Sequence, residues 1–344
     1  MDAIQDKPRY ANIRNLSKKL RRYKYKMEQS ELEKQKVEGM LPEQFAEFDK
    51  WLQFEKDPEK KVAWITFNRP ERSNAMPLLI IDRINDYLKE AEKDPEVKVV
   101  IFRGTGPHFG VGADATELGF QIGFKSGKTA EERKRPSQTQ RLVDDRRTMG
   151  WDNPEMRTYR CVKATICQVQ GYCYGLQFEL AMASDIVICS EDARFAHPAF
   201  RYLGPMGNMN LWIETIGVRK LKEMMLTARP LSAEEALQCD LVNRVVPLDK
   251  LEQTVMEYAQ AISVMPLDGI TVGKAIFELA LEARGVGLGS LMFAFGHTLL
   301  TNLQIQPDEW GFMKSRRDKG LTGALAERDS MVAPLFRMSR KKRE

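Results

Sequence analysis

The sequence predicts an α/β fold, a parallel sheet with helical crossovers followed by a helical C-terminal region. Three stretches lead there. Lys61 to Phe102 reads as strand, helix, strand, the βαβ unit that implies parallel pairing and a right-handed crossover. Ala164 to Ala183 reads as a buried strand, a turn punctuated by Gly171 and Gly175, and an apolar helix. Beyond Gly204 the pattern is helical almost to the end.

Composition bounds the function classes. The 344 residues can bury a sizeable core, and 43% hydrophobic with 29% charged residues is ordinary for a soluble globular chain. The net charge of +5 sits largely at the two ends and does not call for nucleic acid. Five cysteines form no C-x-x-C pair, and the odd number argues against a disulfide framework. Three widely spaced histidines do not make a metal site, so no metal is expected. No apolar run approaches the length of a membrane span, and the opening Met-Asp-Ala-Ile-Gln-Asp-Lys-Pro has no apolar signal core. The expected location is the cytoplasm.

Taken in order, residues 1–57 read as a charged helical extension with a basic arm at Lys18 to Lys26. Such an arm suits a solvated face or a subunit contact, with RNA or an anionic surface as the other reading. Lys61 to Phe67 is a strand, Met76 to Glu92 a helix, and Val97 to Phe102 a second strand. A Gly-rich loop, Gly104 to Asp114, follows; it lacks the G-x-x-x-x-G-K-[ST] of a phosphate loop. Residues 119–160 read as a long polar irregular segment of the kind that forms lids. Asp185 to Ser190 is a further strand. Val218 to Thr227, Ser232 to Gln238, Leu248 to Val264, Leu267 to Ala283 and Leu291 to Leu303 are helices, the second opening on Ser232 as N-cap with an acidic first turn. The division expected is 1–57 extension, 58–260 core and 261–344 C-terminal helical region.

The run Gln168 to Ala183 carries the chemistry. A strand, Gly turn and helix start aim backbone N–H groups at whatever lies above them, and the helix dipole favours negative charge there. Glu179 falls one turn after Leu176, on the same face. An anion-stabilising amide beside a carboxylate in apolar surroundings suits reaction through an oxyanion or enolate. The competing reading makes Glu179 the partner of a buried Arg or Lys.

These segments resemble the crotonase (enoyl-CoA hydratase/isomerase) superfamily from about Val62 to Val246. The anchors are Phe67-Asn68-Arg69-Pro70 with Asn74-Ala75, Phe109-x-x-Gly112-Ala113-Asp114, Gly171-Tyr172 through Glu179-Leu180-Ala181, Asp185-Ile186, Arg194-Phe195, and Leu226-Thr227 through Leu241-Val242. The resemblance implies a spiral of ββα units, a C-terminal helical trimerisation region, and a homotrimer or dimer of trimers. It implies an acyl-CoA thioester as substrate, coenzyme A entering as part of it, and no other cofactor. It places the oxyanion donors at the N–H groups of Ala113 and Leu176, after Gly112 and Gly175, and the acid/base at Glu179. Asp114 lies beside the first donor.

The sequence departs from the family pattern at four places. Ala199 stands where hydratases of the family carry a second glutamate, and His197 is the nearest titratable side chain. In an extended strand, His197 and Ala199 would face the same side; Tyr202, Glu214 and Asp114 are further candidates. Leu176 and Gln177 are bulkier than the family's small residues, which points to a reshaped pocket. Residues 119–160 run longer than usual. At the C-terminal coenzyme A motif, Glu327 replaces a basic residue, and Arg328 after it is the candidate phosphate contact. The leading expectation is hydration or dehydration of an unusual, alicyclic or aromatic-derived, unsaturated acyl-CoA. A C–C hydrolase or lyase, an isomerase, and a non-catalytic RNA-binding scaffold are the alternatives.

Overall fold

A computed structural model describes residues 49–77, 80–115, 137–202, 204, 206–300 and 305–338. The chain divides into Met1–Lys50 and Trp51–Glu344, and all elements below belong to the second unit. The basic arm Lys18 to Lys26 and residues 116–136 lie outside the described residues.

The larger sheet contains β1 (Leu52–Asp57), β2 (Val62–Phe67), β3 (Val99–Gly104), β4 (Ala164–Val169), β6 (Ile186–Ser190) and β9 (Arg244–Val246), side by side in that order. From β2 onward every pair is parallel. The exception is β1, which pairs antiparallel with β2, Leu52 opposite Phe67 and Asp57 opposite Val62. This corrects the boundary expected at residue 57: the first strand was hidden in the charged extension. Gln53, Glu55 and Lys56 disguise it, because an edge strand keeps polar residues facing solvent.

The strands β2 and β4 are buried at every position. Both faces of the sheet are covered, so these strands read as mostly apolar runs without alternation. Val62, Trp64, Val99, Ile101, Ile166 and Ile188 pack with Leu251, Val255 and Ala259 of α8 (Leu251–Ser263). Ala63, Ile65, Phe67, Val100, Phe102, Cys167 and Val169 face the main core. There α1 (Ile80–Lys93) buries Ile80, Ile84, Leu88 and Ala91, one stripe at helical spacing. A second sheet of three short strands, β5 (Tyr172–Tyr174), β7 (Arg194–Ala196) and β8 (Leu231–Ser232), carries the turn into α4 (Leu176–Ala183).

The stretch 119–160 is not irregular throughout: α2 (Gln138–Thr148) and α3 (Pro154–Tyr159) form within it. Apolar periodicity misses α2 because its buried positions include charges. Arg141 and Asp145 are almost fully buried, and Asp145 sits 2.8 Å from His297 Nδ1 of α10 (Val286–Leu300). The start of α3 was legible in principle: Asn153 caps Met156 N at 2.7 Å and Pro154 occupies the first turn.

Between β6 and α8 lie α5 (Met209–Ile216), α6 (Val218–Thr227) and α7 (Ala233–Gln238). The helix start expected at Ser232 is a full capping box, Ser232 with Glu235. In the C-terminal region, α9 (Leu267–Glu282) and α10 leave large apolar side chains exposed, including Ile276, Phe277, Leu279, Leu288, Met292 and Leu299. No single helix among the described residues is long and apolar enough to cross a membrane. The last helix, α11 (Phe312–Ser330), kinks at Gly320.

Candidate active site

Two loops meet back to back at Gly112 and Gly175. Their φ angles, +87° and +58°, lie where only glycine is comfortable. A Cβ on Gly112 would stand 2.9 Å from Gly175 Cα and 3.2 Å from Leu176 N. No side chain fits there, and the next residues in the two loops are Ala113 and Leu176. Among the described residues neither N–H has a hydrogen-bond acceptor. Gly175 N–H is already used, donating to Ala196 O at 3.2 Å.

The first loop is held on both sides. Gly110 N–H donates to Tyr172 O at 2.8 Å, and Tyr174 N–H to Gly110 O at 2.9 Å. Met76 N–H donates to Gly112 O at 2.9 Å, and Asp114 N–H to Met76 O at 2.8 Å. Buried Asn74 donates from Nδ2 to Thr105 O and His108 O. The bulk at Gln177 belongs to the same scaffold. Its side chain is fully buried; Oε1 accepts from Gly112 N–H at 2.7 Å and Nε2 donates to Asn74 O at 3.1 Å. Gln177 therefore braces the Gly112 loop from inside, and the pocket change expected from its size does not come from this side chain.

Glu179 lies one turn along α4 from Leu176. Its partner is His197, Nε2 to Oε1 at 2.9 Å, not a buried Arg or Lys. The expectation that His197 and Ala199 share a strand face fails. β7 ends at Ala196, and Pro198–Arg201 is a 3-10 turn, so the alternation stops at Pro198. Instead the His197 ring is buried among Phe178, Phe200 and Trp212, with centroids 5.4–6.3 Å away. Its Nδ1 has no hydrogen-bond partner among the described residues. With a carboxylate oxygen as its partner, Nε2 carries the hydrogen and donates.

A second carboxylate, which sequence reasoning missed, stands behind this pair. Glu155 on α3 is fully buried; its Oε1 accepts from Trp212 Nε1–H at 2.5 Å and its Oε2 from Asn208 N–H at 3.3 Å. Burial first, then repulsion by the Glu179 carboxylate, pushes its pKa well above the usual carboxylate range. Nothing in the local sequence marks it, because its neighbours Trp212 and Glu179 come from distant elements.

The other candidates are engaged elsewhere. Asp114 pairs with Arg69 Nη1 at 2.8 Å and is buried, so it anchors the turn at 69–75. Glu214 pairs with Arg284. Tyr202 stacks on Phe312 at 4.1 Å, and burial pushes its phenol up to about 12. His108 Nδ1 accepts from Tyr172 N–H at 3.2 Å, a scaffold role. Glu327 binds Lys319 at 2.6 Å together with Ser315 and Trp310, which explains an acid at that position. Arg328 is half-buried; burial and the nearby Arg201 lower its pKa. It forms no ion pair among the described residues.

A model of the enoyl-CoA hydratase/isomerase family matches residues 57–287, which include the loops at Gly112 and Gly175, Glu179 and His197. The chain belongs to this family. It is an acyl-CoA enzyme of the crotonase superfamily, as the sequence anchors implied. Among its relatives, the "Probable enoyl-CoA hydratase" of Mycobacterium bovis is 30% identical over 65% of this chain and 80% of its own length. The hydroxycinnamoyl-CoA hydratase-lyase of Pseudomonas fluorescens is 28% identical over 61% of this chain and 72% of its own. Among solved structures, an enoyl-CoA hydratase/isomerase from Xanthobacter autotrophicus Py2 is 30% identical. It superposes with a TM-score of 0.68 over 82% of this chain and 98% of its own.

Proposed function

We propose that this enzyme adds water to, or removes it from, an unsaturated acyl-CoA other than a simple straight chain, through a thioester enolate. The observation that carries the reading is one carboxylate, Glu179, one helical turn from Leu176, whose N–H, like that of Ala113 beyond the Gly112–Gly175 contact, has no acceptor among the described residues. The thioester oxygen sits between Ala113 N–H and Leu176 N–H. Glu179 takes a proton from water as the water oxygen bonds to Cβ. The electron pair of the C=C bond moves onto the thioester, and the two amides hold the enolate oxygen. Glu179 then returns the proton to Cα, closing the balance with one carboxylate. Each preset donor is worth about 3–4 kcal/mol in the transition state.

His197 orients Glu179 from behind and does not touch the substrate. Ala199 supplies no second carboxylate, which supports an acyl group shaped differently from that of ordinary hydratases. The same absence supports a second reading, an isomerase or C–C hydrolase that needs a single acid/base. Turnover of a panel of straight-chain, alicyclic and aromatic enoyl-CoA thioesters, with product masses, separates these. Gain or loss of one water with the carbon skeleton intact supports the first reading; unchanged mass supports isomerisation, and a cleaved C–C bond supports hydrolysis; no turnover of any thioester sinks both.

The exposed apolar face of α9 and α10 fits a contact with further copies of this chain, a trimer or a pair of trimers. Arg328 is the candidate contact to a coenzyme A phosphate.

A further inference from the structure

The site contains a second acid that the reaction outlined above does not use. Glu155 is closed off from solvent, and among the described residues no cation pairs with it. Its two oxygens accept only from neutral donors, the indole of Trp212 and the Asn208 amide. Arg157, two residues on, is committed to Glu92 of α1. On α4, which packs against α3, the facing titratable group is Glu179, itself bonded to His197. On α5 the facing group is the neutral Trp212 ring, which also lies 5.6 Å from the His197 ring. A buried carboxylate without a cation is strongly disfavoured, and two neighbouring carboxylates in one low-dielectric enclosure do not both ionise.

We propose that Glu155 is a positioning residue for Glu179, a neutral carboxylic acid that leaves the pair of carboxyls with one proton and one negative charge. The arrangement keeps the charge on Glu179, where His197 orients it. It also ties activity to the protonation of a residue that never meets the substrate. When Glu155 ionises on the alkaline side, a second negative charge opposes the enolate. This goes beyond the hydratase reading but shares its assignment of Glu179.

The first test needs no substrate. Infrared spectra of the whole protein should show the carbonyl stretch of a buried neutral carboxyl at neutral pH. The band should vanish in Glu155→Gln and persist in Glu179→Gln. In Glu179→Gln its titration midpoint should move to lower pH, because the neighbouring charge is gone. Absence of the band in the wild type, or an unmoved midpoint in Glu179→Gln, overturns the proposal. If Glu155→Gln fails to fold, as thermal unfolding would reveal, the Glu179→Gln midpoint decides alone. With an active thioester in hand, kcat of the wild type should fall on the alkaline side and Glu155→Gln should lose that limb. An alkaline limb unchanged in Glu155→Gln counts against it. Failure of every thioester to react would sink the proposed activity yet leave the infrared result standing.

Discussion

Gly112→Ala is the sharpest perturbation of the oxyanion pair. The new Cβ would lie 2.9 Å from Gly175 Cα and 3.2 Å from Leu176 N, closer than carbon and backbone atoms pack. Both contacts are backbone, so no flexible side chain can yield and the two loops must separate. The φ of +87° adds strain for any residue with a Cβ, about 1–3 kcal/mol. That strain alone should lower Tm by roughly 1–5 °C. Separating the loops pulls Leu176 N–H off the oxygen that Ala113 N–H still holds. Loss of one such donor corresponds to a fall in kcat of about 10²–10³. Gly217→Ala is the control: its φ is +77°, but nothing lies within 4 Å of the new Cβ. It should lose stability without losing turnover. Thermal unfolding and steady-state kinetics on the best thioester of the panel measure both. If Gly112→Ala retains kcat within about threefold of Gly217→Ala, the paired-amide argument is wrong.

Three further outcomes follow from the packing. Gln177→Leu leaves the Gly112 N–H unbonded in the interior, and denaturant unfolding should show a loss of about 1–3 kcal/mol, with kcat falling as the loop loosens. Asp145 is buried, which alone would raise its pKa, but bonds from His297 and Thr298 and the charge of Arg141 outweigh burial and hold it below the usual range. Its contribution to stability is therefore present above the ordinary carboxylate range and lost as pH falls through the depressed value. Urea midpoints recorded on the acid side should decline in the wild type and flatten in Asp145→Asn. Phe277 is 73% exposed on α9, and Phe277→Glu should shift the protein towards monomer in light scattering if that face joins copies of the chain.

Local chemistry made much of this molecule legible. Strands β2 and β4 announce themselves by mostly apolar runs rich in strand formers, and the Ser232 capping box by its spacing. Gly112 and Gly175 mark places where backbone must touch backbone, and Glu179 is placed by one helical turn from Leu176. What escaped depends on contacts distant in sequence. Gln177 looked like pocket bulk, yet it turns inward to Gly112, 65 residues away. Glu155 looked like one polar residue in an irregular segment, yet Trp212, 57 residues later, closes over it. His197 was singled out by its place near Ala199. Its geometry follows from Pro198, which ends the strand and sends the imidazole to Glu179.

The central claim is that Glu179 moves the proton while the two amides hold the enolate oxygen. Glu179→Gln keeps the side chain's shape and one acceptor for His197 but cannot take a proton. Measured with the most active thioester, its kcat should fall by about 10²–10⁴ with KM changed little. Turnover equal to that of the wild type, in a variant shown to fold, would contradict the account.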